Sequence, residues 1–233
     1  MRDFQKNGRS ALYVGTAAVA TSHPLASMAA IDMLRAGGNA VDAAIAASAV
    51  LCVVEPHMTG LGGDCFALYA PAGASEPIAI NGSGRAPQGA SIEWYRDQGF
   101  TAVPEEGAHA VVVPGAVAAW CKLVSDHGRK DIGEILAPAI RYAEEGYVIT
   151  PRVAWDWQKL EPRLGGDEVA RELLLVNRKA PQLGARHAQP KLGNTLRRIA
   201  LDGARAFYTG PVAEGLVARR QALGGRHARH DFA

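Results

Sequence analysis

The sequence predicts an α+β fold that mixes strands and helices in its N-terminal half and is mostly helical in its C-terminal half. Three observations carry this. Short β-branched or alternating runs occur only before residue 114. From residue 116 onward, apolar residues recur at helical spacing in one segment after another, and Gly or Pro punctuates them. The strands are few and dispersed, so a layered α+β domain fits better than repeated βαβ units.

Residues 14–21 are small, apolar and β-branched, which predicts a short strand. Ser22-His23-Pro24 ends it, and Pro24 suits the first turn of a helix. The spacing predicts that helix over 26–36, with Leu25, Ala29, Met33 and Ala36 near one face. Gly37-Gly38-Asn39 stops it and turns the chain. Residues 40–54 read as a second helix, apolar nearly all round and therefore buried. Pro56 and the run Thr59-Gly60-Leu61-Gly62-Gly63-Asp64 break the pattern. Residues 65–70 and 77–81 read as two strands, with Pro71-Ala72-Gly73 starting the turn between them. Residues 81–87 form a glycine-rich loop and 92–98 a short helix; 108–113 read as a strand ended by Pro114-Gly115. Helices are predicted over 116–126, 132–145, 152–160, 168–176, 192–202 and 212–223.

Composition narrows the function classes. The 233 residues carry 25 basic and 23 acidic side chains, a balance that argues against electrostatic nucleic-acid binding. The longest apolar run, 43–54, is too short to cross a bilayer. The first eight residues hold no apolar segment of the secretory kind. Three cysteines at wide spacings form no CxxC pair, which points to a reducing cytoplasm and away from zinc. No nucleic acid, membrane, metal or cofactor partner is expected.

Candidate sites stay incomplete on residues alone. The turn Gly60-Leu61-Gly62-Gly63-Asp64-Cys65 lacks the last Gly of GxGxxG and precedes a strand, so it is no dinucleotide fingerprint. It reads as a turn that lets backbones approach closely. The loop 81–87 sets Ser83 and Arg85 among glycines, and Arg suits bidentate carboxylate binding. His23 precedes a helix and can orient it by hydrogen bonding, whereas His227 and His230 have no further ligand beside them. Cys65 has Asp64 beside it, which disfavours a thiolate, and no Ser, Thr or Cys carries a local activation signature. Trp155 and Trp157 are explained by helix packing.

Taken in order, several segments resemble γ-glutamyltranspeptidases. They are Ser22-His23-Pro24-Leu25-Ala26-Ser27, Gly37-Gly38-Asn39-Ala40-Val41-Asp42-Ala43-Ala44, Val53-Val54-Glu55-Pro56 and Gly60-Leu61-Gly62-Gly63. Val113-Pro114-Gly115, Leu136-Ala137-Pro138-Ala139-Ile140, Ala143-Glu144-Glu145-Gly146-Tyr147 and Gln189-Pro190 follow. Thr195-Leu196-Arg197-Arg198-Ile199-Ala200, Ala206-Phe207-Tyr208-Thr209-Gly210 and Gly224-Gly225 complete the series.

The resemblance implies an N-terminal-nucleophile hydrolase, a four-layer αββα sandwich made as a precursor that cleaves itself into a large and a small subunit. The small subunit's new N-terminal Thr is then the nucleophile, its own α-amine the base. The matched segments correspond to the N-terminal part of the large subunit. The expectation is therefore one incomplete sandwich domain over 1–233, with no catalytic residue of its own, open strand edges, and the missing small subunit or the remainder of the large subunit as partner. Alone it is expected to be inactive. In the transpeptidases an Arg in a Gly-Arg-Glu-Thr-Ala-Pro-like loop binds the substrate α-carboxylate. Alignment on Ala86-Pro87 puts Ser83 at that place and Arg85 two residues later. Ser83 and Arg85 are the expected substrate-binding residues. This loop, with Gly63-Asp64-Cys65-Phe66-Ala67-Leu68-Tyr69, looks more like the oxamate amidohydrolase-like and acylase-like branch. The implied substrate is a small-molecule amide, such as a γ-glutamyl compound like glutathione, or oxamate. The alternative is a non-catalytic interaction protein on the same fold.

Overall fold

The computed structural model describes residues 11–232. Helix α1 spans Pro24–Arg35. Its N-cap is His23, whose Nδ1 accepts the Leu25 N–H at 3.1 Å, and Pro24 fills the first turn without losing a helical bond. Gly37, at φ +88°, lets the chain turn back. Helix α2, Ala40–Val54, opens with a reciprocal cap: Asn39 Oδ1 accepts the Val41 and Asp42 N–H groups, and Asp42 Oδ2 accepts the Asn39 N–H.

Strands β1 (Cys65–Tyr69) and β2 (Ile78–Gly82) pair antiparallel, with Cys65 opposite Gly82 and Tyr69 opposite Ile78. The period of two turns Cys65, Ala67 and Tyr69 inward and leaves Phe66 (69%) and Leu68 (78%) exposed. Helix α3, Ile92–Asp97, is capped by the Ser91 hydroxyl. Then come α4 (Ala116–His127), α5 (Ile132–Glu145) and β3 (Tyr147–Val148). An excursion of α6 (Pro151–Gly165) and α7 (Glu168–Leu174) returns through β4 (Arg186–His187), which pairs with β3. Helices α8 (Pro190–Asp202), α9 (Arg205–Tyr208) and α10 (Gly210–Ala222) complete the chain. The C-terminal half is helical, as expected.

The core is organised around α2. Its small side chains admit α1 on one side, with Ala26, Ala29 and Ala30 meeting the α2 alanines, while α5 and α4 pack on others. Helix α8 backs α5 through Leu196 and Ile199, both fully buried. Asp42 ties these layers together. Its buried carboxylate accepts the Arg129 N–H at 3.1 Å and the Lys130 N–H at 3.4 Å, while Asn39 Nδ2 donates to the His127 carbonyl. One side chain thus caps α2 and holds the α4–α5 connection.

Two expected strands are absent. Residues 14–21 join no ladder, and 108–113 form a 3₁₀ turn at Ala108–Ala110 followed by extended chain. Both have the composition of strands, but a ladder needs a run of paired N–H and C=O groups; 108–113 makes a single backbone bond to the 81–87 loop, Val113 N–H to the Arg85 carbonyl, and 14–21 pairs with no strand among the described residues. No helix of the described residues is long and apolar enough to cross a membrane.

Candidate functional site

Three segments meet at the N-terminus of α4: the glycine turn 60–64, the loop 81–87 and the stretch 112–116. The contact is made by absence of side chains. A Cβ on Gly84 would stand 1.6 Å from the Val113 carbonyl oxygen, and one on Gly115 would stand 2.2 Å from the Gly82 oxygen. Only glycine fits either place. The Gly63 carbonyl accepts the Gly115 and Ala116 N–H groups at 3.1 and 3.0 Å, so the turn caps α4 with a backbone oxygen. Residues 60–64 do form a turn, but its glycines do not make the close approach: a Cβ on Gly60 or Gly62 would meet nothing within 4 Å, and the crowding lies at Gly82, Gly84 and Gly115. Tyr208 Oη donates to the Pro114 carbonyl at 2.8 Å and accepts the Ala118 N–H at 3.1 Å, clamping the segment from α9.

The loop is pinned at successive groups. Asn81 Oδ1 accepts the Ser83 N–H at 3.0 Å, Asp64 Oδ1 accepts the Gly84 N–H at 3.0 Å, and the Arg85 carbonyl accepts the Val113 N–H at 2.9 Å. Exposure alternates along it. Gly82 and Gly84 turn toward Ala119 and Val113, and Asn81, Ser83 and Arg85 are exposed. Ser83 and Arg85 therefore share the outer face of an extended arc, about 7 Å apart at one pleat, within the reach of an Arg side chain. The structure brings these two residues together on one anchored loop. The Asp64 tie to Gly84 went unread in the sequence; a carboxylate closing a glycine turn opposite a second glycine-rich loop was the available signal.

None of the described nucleophile candidates is activated. Burial pushes the Cys52 thiol up to about 12, and burial also raises Cys65 and Cys121. For Cys65 the reason is thus burial and not the neighbouring Asp64, whose carboxylate is engaged with Gly84. Ser22 Oγ donates to Glu55 Oε2 at 2.6 Å, with no His in the pair to act as base. Among the described residues no three His, Cys, Asp or Glu side chains gather as a metal site. His227 is buried beside Phe232, and His230 is exposed beside Asp231, so the two do not converge. Trp157 is buried; Trp155 carries the Lys159 ammonium over its ring at 3.4 Å.

A second cluster is internal. His57 stacks on Trp157 with ring centroids 5.3 Å apart, and His187 meets Trp157 edge-on at 5.0 Å. Tyr147 lies between His187 and His23, at 5.9 and 6.4 Å. Burial holds all three histidines below their ordinary range, His23 at about 4.

A groove runs along α2. Its floor is the stripe of exposed Ala40 and Ala44 and half-buried Ser48, shared by two clefts of about 380 and 520 Å³. One wall is β1 and the other is the unpaired stretch 17–21. Strand β1 and the 17–21 segment thus flank a small-residue helix with space between them.

Comparison with known proteins places this geometry. The family model described as gamma-glutamyltranspeptidase matches residues 26–233. The chain is 40% identical to the oxamate amidohydrolase proenzyme of Klebsiella pneumoniae over 87% of this chain and 39% of that protein. It is 36% identical to the glutathione hydrolase-like YwrD proenzyme of Bacillus subtilis over 92% of this chain and 41% of that protein. Among solved structures it superposes on Helicobacter pylori gamma-glutamyltranspeptidase with a TM-score of 0.89 at 31% identity, covering 96% of this chain and 65% of that one. Cephalosporin acylase from Bacillus halodurans gives 0.88 at 37% identity, covering all of this chain and 45% of that one. The chain spans about two fifths of the length of the curated relatives it matches. Its α+β fold is that part of an N-terminal-nucleophile hydrolase, and the chain belongs to the γ-glutamyltranspeptidase family.

Proposed function

We propose that this chain is an N-terminal portion of the large subunit of a γ-glutamyltranspeptidase-family amidohydrolase acting on a small amide that carries a carboxylate. Arg85, with Ser83 beside it, holds that carboxylate; the nucleophilic Thr and the strands that fill the α2 groove come from the rest of the enzyme. The hydroxyl of that Thr attacks the amide carbon, the amine leaves with a proton, and water releases the acid. The single observation behind this reading is the anchored arc 81–85, which presents one guanidinium and one hydroxyl on a floor tied down by its own backbone. The groove supports the partner. Its walls offer unpaired backbone, and its floor of Ala and Ser leaves room for strands to lie close. Three free thiols support a reducing cytoplasmic setting.

The test is complementation. The chain is co-expressed with the remainder of the oxamate amidohydrolase relative, from the point where the match to this chain ends through its Thr-bearing small subunit, and hydrolysis of oxamate and of glutathione is followed. Activity in the complex, with Arg85→Ala raising KM at least tenfold, supports the reading. A stable complex without hydrolysis favours a non-catalytic interaction protein instead.

A further inference from the structure

We propose that Asp64 is a positioning residue for the Ser83–Arg85 arc: its carboxylate fixes the direction in which Arg85 meets a substrate carboxylate. This rests on the reading of Arg85 as the anchor. Three observations lead to it. First, Asp64 Oδ1 accepts the Gly84 N–H at 3.0 Å, the amide midway between the two outward side chains. Second, Asp64 follows Gly63, whose carbonyl holds the α4 N-terminus through Gly115 and Ala116, so the acceptor is mounted on a fixed turn. Third, Gly84 is pressed against the Val113 carbonyl and cannot shift inward, so outward release is opposed by the Asp64 bond at Gly84 and by the Val113 N–H bond to the Arg85 carbonyl, of which only the first is a side-chain tie. A side-chain tie on an exposed loop adds little to global stability. Its effect is local, because losing it frees the backbone between Ser83 and Arg85 and raises the entropy cost of holding a ligand. The same carboxylate is negative, so a substrate carboxylate is steered away from the turn and toward Arg85.

Two substitutions separate these effects. Asp64→Asn keeps an acceptor oxygen and removes the charge, whereas Asp64→Ala removes both. The assay uses the ¹⁵N-labelled 233-residue chain, titrated with oxamate, following the Arg85 Nε–H resonance for affinity and the Gly84 amide for exchange. The proposal predicts that Asp64→Ala speeds Gly84 exchange and weakens oxamate at least threefold, while Asp64→Asn keeps Gly84 protected and binds oxamate as tightly or more tightly. Arg85→Ala, followed through the Ser83 and Gly84 amide shifts in place of the lost Nε–H, should show no oxamate response with Gly84 still protected. Unchanged Gly84 exchange and affinity in Asp64→Ala overturn the positioning role while leaving the anchor intact. No oxamate response at Arg85 in the unaltered chain overturns the anchor itself, and the positioning role with it. Circular dichroism of each variant distinguishes either result from misfolding.

Discussion

Acidification should loosen this fold well above the pH at which carboxylates protonate, and His23 sets the size of the effect. The ring is 1% exposed, and its Nδ1 accepts the Leu25 N–H, so the neutral form is required at the cap. Protonation would place a second donor against that N–H and bury a charge, and the neighbouring ring is Tyr147, which offers no counter-charge. Burial holds this imidazole at about 4, below its unfolded value of 6.5. The unfolded chain therefore binds more protons across that window, and stability falls as pH drops from 6.5 and levels off near 4. At pH 5, His23 alone should remove about 2 kcal/mol relative to pH 7.5. His57 and His187 act in the same direction, since burial depresses both. For His57, Asp156 partly offsets burial and Arg152 reinforces it; Glu55 acts on Tyr147 and is held by the Ser22 hydroxyl, next to His23 in the chain. The assay is urea unfolding at pH 7.5 and 5.0, read by circular dichroism and by tryptophan fluorescence. His23→Asn, which retains a capping acceptor without titrating, should lose about 2 kcal/mol less than the parent between the two pH values. Equal stability at both pH values, or an unchanged pH slope in His23→Asn, would refute the reasoning.

Other consequences follow from single contacts. Asp42→Ala should cost about 1–3 kcal/mol in chemical denaturation, because it strands the part-buried N–H groups of Asn39, Arg129 and Lys130. Gly84→Ala should cost at least about 2 kcal/mol or displace the loop, since its Cβ meets the Val113 oxygen; a melting curve and the Ser83 and Arg85 amide shifts would show which. Replacing Phe66 and Leu68 by Thr should reduce self-association of the isolated chain in sedimentation while leaving its circular dichroism unchanged, because both side chains face outward beside the groove wall.

Much of the helical frame was legible because its signals are local. His23-Pro24 and Gly37-Gly38-Asn39 bracket α1 and open α2, and each works through residues two or three positions away. Strands β1 and β2 were legible from alternation, which survives as Phe66 and Leu68 facing out. Residues 14–21 and 108–113 have the same composition but form no strand, because pairing depends on a distant neighbour that local sequence does not encode. The β3–β4 pair was missed for the opposite reason: two residues per strand leave no alternation to detect. At the site, Ser83 and Arg85 were legible as residue types among glycines. Their common face was not, since it depends on Gly84 meeting Val113 and on Asp64 reaching across 20 positions. Asp42 shows the same limit. Its cap role is local, but its grip on Arg129 spans 87 positions.

The central claim is that these 233 residues hold the substrate loop and the groove of an amidohydrolase but not its nucleophile. The most direct measurement is amide hydrolysis, with oxamate and glutathione, by the purified chain alone and by the chain assembled with the Thr-bearing remainder of its relative. The account predicts no turnover from the chain alone and turnover from the assembled complex that Arg85→Ala impairs through KM. Turnover by the chain alone, unaffected by any added partner, would contradict it.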